Sequence, residues 1–411
     1  MEPKTISELT MSSALHSPYV VTVGTYPPRE CGIATFTQDT VMSLRQWPDL
    51  VGKCTVCAVN DWPASYRYGP EVQFTIEDAQ RPSYRNTARR INASGADLVS
   101  IQHEYGIFRG DDGEYLLDFV DALRAPLVTT LHTVLSRPEG HFKEVTKAII
   151  NSSDAIVVLA QNARQLLVRT CGAPPSKIHY IPHGIPDVAW SPQILQLRQA
   201  EMGLSGRLVV STFGLIGPGK GIEYALDAVA SVVSDHPQLL YLIIGRTHPT
   251  IVRKEGEAYR QKLLQRCHEL GIEHNVVFVN RYLTLRELIL YLQATDIYLM
   301  PYLDPEQIVS GTMAYAVGAG KPTIATPFAY AREVLADGRG VVVPFRDSEA
   351  IAEALTALAQ DEDHRLDMAA RAYAYTRSWV WREVGRQYGM LFSSVLERTE
   401  LAPLAVSRAT A

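Results

Sequence analysis

Short apolar runs alternate with amphipathic stretches along most of the chain. The first run, residues 19–24 (YVVTVG), is apolar throughout, as in a strand that a parallel sheet buries on both faces. The stretches between the runs have the length and polarity of surface helices. Strands that alternate with helices in this way predict doubly wound parallel sheets and therefore an α/β fold.

The alternation occurs twice, on either side of the polar residues 187–206. Because 411 residues are too many for one hydrophobic core, we expect two domains, at 1–187 and 188–379. A terminal helix at 378–398 is expected to return to the first domain and to bring residues 380–411 with it. The predicted strands are 19–24, 53–59, 97–102, 126–131, 155–159 and 178–181, then 208–213, 239–245, 276–279, 297–301, 323–326 and 340–344. The predicted helices are 34–45, 84–93, 113–123, 139–152 and 161–171, then 222–234, 255–270, 284–293 and 347–377. Residues 66–80 have a less regular pattern.

Charge and composition narrow the function. A net charge of −5 gives no reason to expect nucleic-acid binding, and no apolar run approaches the length of about 20 residues that crosses a membrane. The five cysteines are odd in number and scattered, which indicates reduced thiols in a cytoplasmic protein. The first 18 residues lack the apolar core of a signal peptide and are predicted to form a tail.

Four arginines fall within ten positions, at Arg81, Arg85, Arg89 and Arg90. A solvated helix face is the plainer interpretation of this cluster. A weak peripheral contact with an anionic membrane surface is the alternative, because clustered arginines attract lipid phosphates.

Three histidines follow the carboxyl ends of predicted strands, at His103, His132 and His183. Ligands of open parallel sheets bind at that edge, so the three together predict a site there. Their wide spacing does not predict a metal centre. His103 and Glu104 are adjacent, but neighbouring strand residues point in opposite directions, which argues against a catalytic dyad.

The stretch 304–326 (DPEQIVSGTMAYAVGAGKPTIAT) predicts a phosphate site. A short helix is expected to begin at Ser310, with Gly311 and Thr312 in its first turn. Its free backbone N–H groups and positive dipole end would face the preceding loop, and two hydroxyls would add donors. A simple capped helix is the structural alternative.

A glycine-rich loop at 214–221 (GLIGPGKG) lies between a predicted strand and a predicted helix. It lacks both the Ser or Thr that follows the lysine of a Walker A loop and the glycine spacing of a dinucleotide site. Lys220 at a helix N-terminus, preceded by Gly219, still suits a phosphate, and Arg246 follows the next strand end. A packing turn with a solvated lysine is the alternative.

Five segments in a specific order carry a resemblance to a known family. They are TYPPRECGIATF after the first strand, PHGIPD near residue 184, GLIGPGKGIEYALDA, the region 301–326, and the tail helix that opens at Ser378-Trp379. Over about residues 19–398 the chain resembles the retaining glycosyltransferases of family four, whose fold is GT-B. The resemblance implies two Rossmann-like domains that face a central cleft.

The resemblance also implies a function. Such enzymes bind the donor in the second domain and the acceptor in the first, retain the anomeric configuration, and need no metal or other cofactor. The expected donor is a nucleotide sugar or a sugar phosphate. The expected acceptor is a saccharide or glycoconjugate, as in polysaccharide synthesis.

Residue roles follow from the same resemblance. His132, Lys220 and Gln307 would act at the transferred sugar and its phosphate. Donor or phosphate binding would involve Gly32, Gly219, Arg246, Glu306, Ser310, Gly311, Thr312, Tyr315 and Glu333. His103, Glu104 and His183 would lie on the acceptor side.

The chain departs from the family pattern on the nucleotide side. Two glutamates that the family separates by seven residues correspond here to Gln307 and Tyr315, with Glu306 beside the first. Gln307 keeps its hydrogen-bonding capacity without the charge, and Tyr315 cannot hold ribose hydroxyls in a bidentate manner. The arginine that the family places before its Lys-Gly pair is Leu215 here.

Two alternatives therefore stay open. A retaining glycoside phosphorylase on the same fold would use inorganic phosphate or a sugar 1-phosphate at the Ser310–Thr312 site. The other alternative is a non-catalytic protein that binds sugar phosphates. The sequence specifies neither the sugar, the nucleotide, the acceptor nor the oligomeric state.

Overall fold

The computed structural model describes residues 17–61, 63 and 65–409, with side chains up to residue 399. The predicted N-terminal tail lies almost entirely outside this range. The described residues divide into two compact units. The first takes the chain up to Gly184 and again from Trp381, and the second takes Ile185–Val380.

The first unit contains a seven-stranded parallel sheet in the order β3-β2-β1-β4-β5-β6-β7. Its strands are β1 (Tyr19–Gly24), β2 (Lys53–Asn60), β3 (Val72–Glu77), β4 (Leu98–His103), β5 (Leu127–Leu131), β6 (Ala155–Val158) and β7 (Ile178–Tyr180). Its helices are α1 (Gly32–Leu44), α2 (Arg81–Asn92), α3 (Tyr115–Ala122), α4 (Gly140–Ser152) and α5 (Gln161–Cys171).

The second unit contains a six-stranded parallel sheet in the order β10-β9-β8-β11-β12-β13. The strands are β8 (Leu208–Phe213), β9 (Leu239–Ile244), β10 (Val276–Val279), β11 (Ile297–Met300), β12 (Thr323–Ala325) and β13 (Gly340–Val342). The helices are α6 (Pro192–Glu201), α7 (Ile222–Val232), α8 (Pro249–Glu255), α9 (Ala258–Leu270), α10 (Leu285–Ala294), α11 (Gly311–Gly318), α12 (Ala329–Val334), α13 (Ser348–Gln360) and α14 (Glu362–Tyr375).

The predicted strands are confirmed to within a residue or two, because buried parallel strands are apolar along their whole length. β1, β4, β8 and β9 are buried at every position. The less regular stretch 66–80 contains one strand that the sequence did not predict, β3, which forms the edge of the first sheet. Burial along β3 alternates, so it lacks the continuous apolar run of the central strands.

Two helical regions differ from the prediction. The helix predicted at 255–270 is α9, and the additional short helix α8 precedes it, separated by Gly256, whose φ is +62°. The helix predicted at 347–377 breaks at Asp361. The Asp361 carboxylate accepts a hydrogen bond from the His364 N–H at 2.8 Å and so caps the start of α14.

The terminal helix α15 (Trp381–Ala409) packs against α1 in the first unit. Two glycines allow the close approach, because a Cβ on Gly385 would lie 2.7 Å from the Ser43 backbone and one on Gly389 would lie 2.9 Å from Leu50 Cβ. The Trp47 indole donates to the Arg382 carbonyl at 2.8 Å and fixes the start of α15.

Both sheets reverse their strand order once. The reversal lies between β1 and β4 in the first unit and between β8 and β11 in the second. At such a point the loops after the two strands diverge and leave a crevice at the carboxyl edge, where open α/β sheets bind ligands.

Candidate functional site

Glycines bring three strand ends of the second unit together. Gly214 after β8 has φ +130° and Gly245 after β9 has φ +132°, and a Cβ on Gly245 would overlap the Gly214 carbonyl oxygen. Gly221, at φ +61°, lies against the Pro301 carbonyl at the end of β11. The loop 214–221 is therefore held at the carboxyl edge of the sheet.

Lys220 ends a 3₁₀ turn at Pro218–Lys220 within this loop. Its Nζ lies 3.6 Å from the centroid of the Tyr302 ring. The Leu303 N–H donates to the Gly219 carbonyl at 3.0 Å, which ties the loop to the segment that carries Tyr302. The ammonium is thus held on an aromatic face by a cation–π contact.

The N-terminus of α11 lies beside that ring, and the prediction of a helix capped at Ser310 is confirmed. Ser310 Oγ accepts from the Met313 N–H at 3.2 Å. Thr312 Oγ1 lies 3.0 Å from Ser310 Oγ and 3.1 Å from the Tyr302 hydroxyl. A Cβ on Gly214 would lie 3.3 Å from Thr312 Cγ2. Lys220, Tyr302, Thr312 and the Gly214 backbone are therefore neighbours, and we call them the anion cluster.

The two positions that depart from the family pattern contribute no charge to the anion cluster. Gln307 donates from its side-chain amide to the Val309 carbonyl at 3.1 Å, within its own loop. Tyr315 is only 9% exposed and belongs to the core of the unit. Glu306 is exposed in a turn in which Asp304 accepts its N–H at 2.9 Å.

Basic side chains extend the region beyond the anion cluster. Arg246 follows β9, and its guanidinium lies 6.0 Å from the ring centroid of Tyr282. Partial burial and the nearby cations Lys220 and Arg253 lower the pKa of His248, so His248 lies close to both cations. Sequence reasoning missed Tyr302, Tyr282 and His248, whose only signal is their position just after strand ends.

Glu333 lies on α12, where the Arg339 guanidinium donates to its carbonyl at 3.1 Å. Burial raises the pKa of Tyr375 on α14, the Arg339 cation opposes this rise, and the Glu333 carboxylate adds to it. Glu333 is therefore close enough to α14 to interact with Tyr375.

In the first unit, Phe36 of α1 brings two of the predicted histidines together. Its ring centroid lies 4.6 Å from that of His132 and 5.0 Å from that of His183, both in edge-on arrangements. The Trp381 ring lies 5.1 Å away on a third side. Gly32, the first residue of α1, is exposed, and a Cβ there would meet nothing within 4 Å, so the space before this helix is open.

Both of these histidines are neutral at physiological pH. Burial, together with the neighbouring imidazoles of His183 and His103, lowers the pKa of His132 to about 3. Burial lowers the pKa of His183 to about 4, and its Nδ1 lies 2.8 Å from the Gly184 carbonyl. His132 Nε2 lies 2.9 Å from Gln102 Oε1.

His103 is the last residue of β4 and is fully buried, so its side chain is not exposed to solvent, and its contact with an acceptor stays a prediction. It stacks on Phe108, and burial lowers the pKa of His103 to about 4. Glu104 accepts a hydrogen bond from Thr133 Oγ1 at 2.6 Å, and burial raises the pKa of its carboxyl. The two adjacent side chains thus have different partners, as expected along a strand.

Two family models match the chain. The model of the glycosyl transferases group 1 matches residues 198–375, and the model of the Glycosyltransferase Family 4 matches residues 55–188. The chain belongs to the group 1 glycosyltransferases.

Curated relatives of this glycosyltransferase are distant. A D-inositol 3-phosphate glycosyltransferase of Corynebacterium glutamicum is 24% identical over 292 residues, which cover 67% of this chain and 68% of the relative. The enzyme of that name from Nocardia farcinica is 28% identical and is matched over 64% of this chain and 59% of its own length. A phosphatidyl-myo-inositol mannosyltransferase of Mycolicibacterium smegmatis is 25% identical, over 67% of each chain. The glycosyltransferase thus spans about two thirds or less of these relatives.

Solved structures show the fold. Sucrose-phosphate synthase from Thermosynechococcus elongatus matches with a TM-score of 0.74 at 16% identity, over 92% of this chain and 100% of that chain. Anabaena HepE, solved in complex with UDP, matches with a TM-score of 0.72 at 17% identity, over 92% and 100% of the two chains. The two Rossmann-like units are those of the GT-B fold, as the sequence predicts.

Two of the four arginines in the cluster of the glycosyltransferase pair with an aspartate within the unit. Arg81 Nε lies 2.7 Å from Asp118 Oδ2, and Arg85 Nη2 lies 3.7 Å from Asp118 Oδ1. In the part of the chain that the structure describes, no helix has the length and apolar character to span a bilayer. The same part contains no group of three side chains placed to share a metal ion.

Proposed function

We propose that this glycosyltransferase is a retaining, metal-independent enzyme that transfers a sugar from a nucleotide-sugar donor to a saccharide or glycoconjugate. The observation that carries the proposal is the anion cluster of the second unit. It combines a fixed ammonium, a hydroxyl and a helix N-terminus at the carboxyl edge of a doubly wound sheet.

The anion cluster suits a leaving diphosphate. Ser310 accepts hydrogen bonds from the Met313 and Ala314 N–H groups. The Gly311 and Thr312 N–H groups have no acceptor among the described residues. Together with Lys220 Nζ and the Thr312 hydroxyl they offer donors to an oxygen on which negative charge develops. Preorganised donors of this kind lower the barrier without a bound metal.

The first unit supports a mechanism that lacks a protein general base. At pH 7 the imidazoles of His132 and His183 are uncharged, and with pKa values of about 3 and 4 they are too weak as bases to remove a proton from a sugar hydroxyl. They suit orientation of a sugar by hydrogen bonds. In a retaining reaction with front-face attack, the leaving phosphate then takes the acceptor proton, and the protein supplies position and charge.

UDP is the first nucleotide to test, because HepE shares the fold and was solved with UDP. D-Inositol 3-phosphate is the first acceptor to test, because relatives carry that name. The remaining acceptors of the test set are mono- and disaccharides.

A retaining glycoside phosphorylase remains the second candidate, and one observation favours it. The chain offers no carboxylate at Gln307 or Tyr315, and Tyr315 is buried in the core of the unit. An anion cluster without a ribose-binding carboxylate would also hold inorganic phosphate or a sugar 1-phosphate.

A thermal-shift panel separates the two candidates. It compares UDP, GDP, ADP, their glucose or mannose conjugates, inorganic phosphate and the corresponding sugar 1-phosphates. The proposal predicts that one nucleoside diphosphate family raises the unfolding temperature well above inorganic phosphate at equal concentration. Equal shifts from sugar 1-phosphates and nucleotide sugars would contradict it and favour the phosphorylase. Binding without any turnover would favour the non-catalytic alternative.

A further inference from the structure

We propose that Gln102 is a positioning residue that holds His132 in its neutral Nε2–H tautomer and thereby presents Nδ1 as an acceptor to a sugar hydroxyl. The presence of a sugar at His132 rests on the proposed function. The tautomer and its cause rest on the geometry of the first unit.

The geometry assigns the proton to Nε2. Gln102 lies near the end of β4 and is fully buried, with its Oε1 2.9 Å from His132 Nε2. An amide oxygen only accepts hydrogen bonds, so Nε2 must be the donor. The His132 backbone N–H donates to the His103 carbonyl at 3.0 Å, and the Phe36 ring meets the imidazole edge-on, which leaves the ring little freedom to rotate.

A neutral ring with its proton on Nε2 has Nδ1 as a free acceptor. His132 Nδ1 has no hydrogen-bond partner within the described residues and is not one of the buried unpartnered atoms, and the residue is only partly buried, so Nδ1 is not completely enclosed. The titratable groups that act on the ring are His183, after β7, and His103, at the end of β4. From α1 the facing group is Phe36, which carries no charge.

A second observation separates Gln102 from an ordinary core residue. Its Nε2 is buried without a partner in the described part of the chain. Such an unsatisfied donor costs about 1–3 kcal/mol, so a purely structural position would favour an apolar side chain. Gly24 of β1 leaves room for Gln102, because a side chain at Gly24 would place its Cβ only 3.1 Å from Gln102 Cβ.

The role is orientation rather than proton transfer. A sugar hydroxyl donates to His132 Nδ1, and the ring keeps its single proton on Nε2 throughout. If the amide is removed, the proton is free to move to Nδ1, which then repels the same hydroxyl hydrogen. Enzyme molecules with the proton on His132 Nδ1 would then not orient the sugar, and the rate would fall in proportion to their fraction.

The direct test is long-range proton–nitrogen NMR of protein labelled with ¹⁵N-histidine, with the His132 signal assigned from His132→Asn. The wild type is expected to show a neutral Nε2–H tautomer from pH 5 to 8. Gln102→Met should populate the Nδ1–H tautomer. Gln102→Glu places a carboxylate beside Nε2 and should make the ring titrate within the same pH range.

Ser100→Ala is the matched control, since Ser100 lies on the same strand, is fully buried and has an unpartnered hydroxyl. It should leave the His132 signals unchanged. An Nδ1–H tautomer in the wild type, or a Gln102→Met spectrum equal to the wild type, would overturn the proposal. If Gln102→Met does not fold, Gln102→Glu, which keeps the side-chain volume, decides by the same spectra.

A kinetic arm uses UDP-glucose as the probe and its hydrolysis as the readout. Gln102→Met should lower kcat/KM at least tenfold at an unfolding temperature similar to that of Ser100→Ala, and Gln102→Glu should give a new limb in the pH profile. If the wild type has the Nε2–H tautomer but Gln102→Met has the same kcat/KM as the wild type, the proposed role of His132 toward the sugar would be overturned. An Nε2–H tautomer in a wild type that never turns over a nucleotide sugar would instead contradict the proposed function.

Discussion

Lys220 Nζ lies 3.6 Å from the ring centroid of Tyr302, and the hydroxyl of the same ring lies 3.1 Å from Thr312 Oγ1. One aromatic side chain therefore joins the cation of the glycine loop to the N-terminus of α11. The cation–π contact is worth about 0.5–2 kcal/mol and restricts a flexible side chain before any ligand arrives.

Loss of the ammonium should strongly impair transfer. Lys220→Met keeps most of the side-chain length but removes the charge expected to face the leaving phosphate. We expect kcat/KM to fall about 10²- to 10³-fold, the usual effect of removing one preorganised donor. Steady-state kinetics with the donor identified by thermal shift provide the measurement.

Lys53→Met is the matched control for that substitution. Lys53 Nζ lies 3.9 Å from the ring centroid of Tyr19 in the first unit, so it makes the same type of contact away from the anion cluster. Its kinetics should equal those of the wild type. A similar loss in both variants would mean that Lys220 acts through stability alone.

The two functions of Tyr302 can be separated by substitution. Tyr302→Phe keeps the aromatic face for Lys220 and removes the hydroxyl, which should reduce kcat/KM by less than about tenfold, as for one neutral hydrogen bond. Tyr302→Leu removes both contacts and should approach the defect of Lys220→Met. Equal kinetics for the two variants would show that the aromatic face is irrelevant.

Gly245 should not tolerate a side chain. Gly245→Ala forces φ +132° on alanine and places its Cβ on the Gly214 carbonyl, so we expect unfolding to become easier by about 3 kcal/mol or more. Gly271→Ala, also at positive φ but with open space around its Cβ, should cost about 1 kcal/mol. Chemical denaturation of both variants measures the difference. Equal losses of unfolding free energy in the two variants would mean that the contact between residues 214 and 245, after β8 and β9, relaxes without cost.

The buried Lys321 should make the free energy of unfolding depend on pH in the alkaline range. Its side chain is buried, Nζ donates to the Thr295 carbonyl at 3.0 Å, and burial lowers the pKa of Lys321 from 10.5 to about 8. The folded state therefore binds fewer protons than the unfolded state between those values. The contribution of Lys321 to stability should rise across this window, by a total on the order of 3 kcal/mol.

The measurement for Lys321 is the difference in unfolding free energy between the wild type and Lys321→Met from pH 7 to 10.5. Titrating tyrosines occur in both proteins and cancel in this difference. Above pH 8, the unfolding free energy of the wild type should rise relative to that of Lys321→Met. A constant difference would show that the buried ammonium keeps its ordinary affinity for protons.

Much of the fold follows from the sequence because buried parallel strands are continuous apolar runs, as in β1 and β8. The same is true of Ser310, because a serine before a short apolar helix has a local reason to cap it. β3 could not be predicted in the same way, since its alternating burial at a sheet edge lies among turn residues.

The candidate site could be predicted in part. Gly214–Gly221 and Ser310–Thr312 signal a phosphate locally, but their connection through Tyr302 is a contact between distant segments, and no local pattern predicts it. His103 shows a second limit. Its place at a strand end predicts a ligand contact, but the sequence gives no sign that Phe108 packs on its ring and that the side chain is fully buried.

Proton NMR of the reaction tests directly whether the enzyme is a retaining, metal-independent transferase. The reaction uses the nucleotide sugar that gives the largest thermal shift, in the presence of EDTA. We expect release of the nucleoside diphosphate and a glycoside with the same anomeric configuration as the donor, at a rate that EDTA does not change. An inverted product, abolition by EDTA, or formation of sugar 1-phosphate from a glycoside and phosphate in place of nucleotide-sugar use would contradict it.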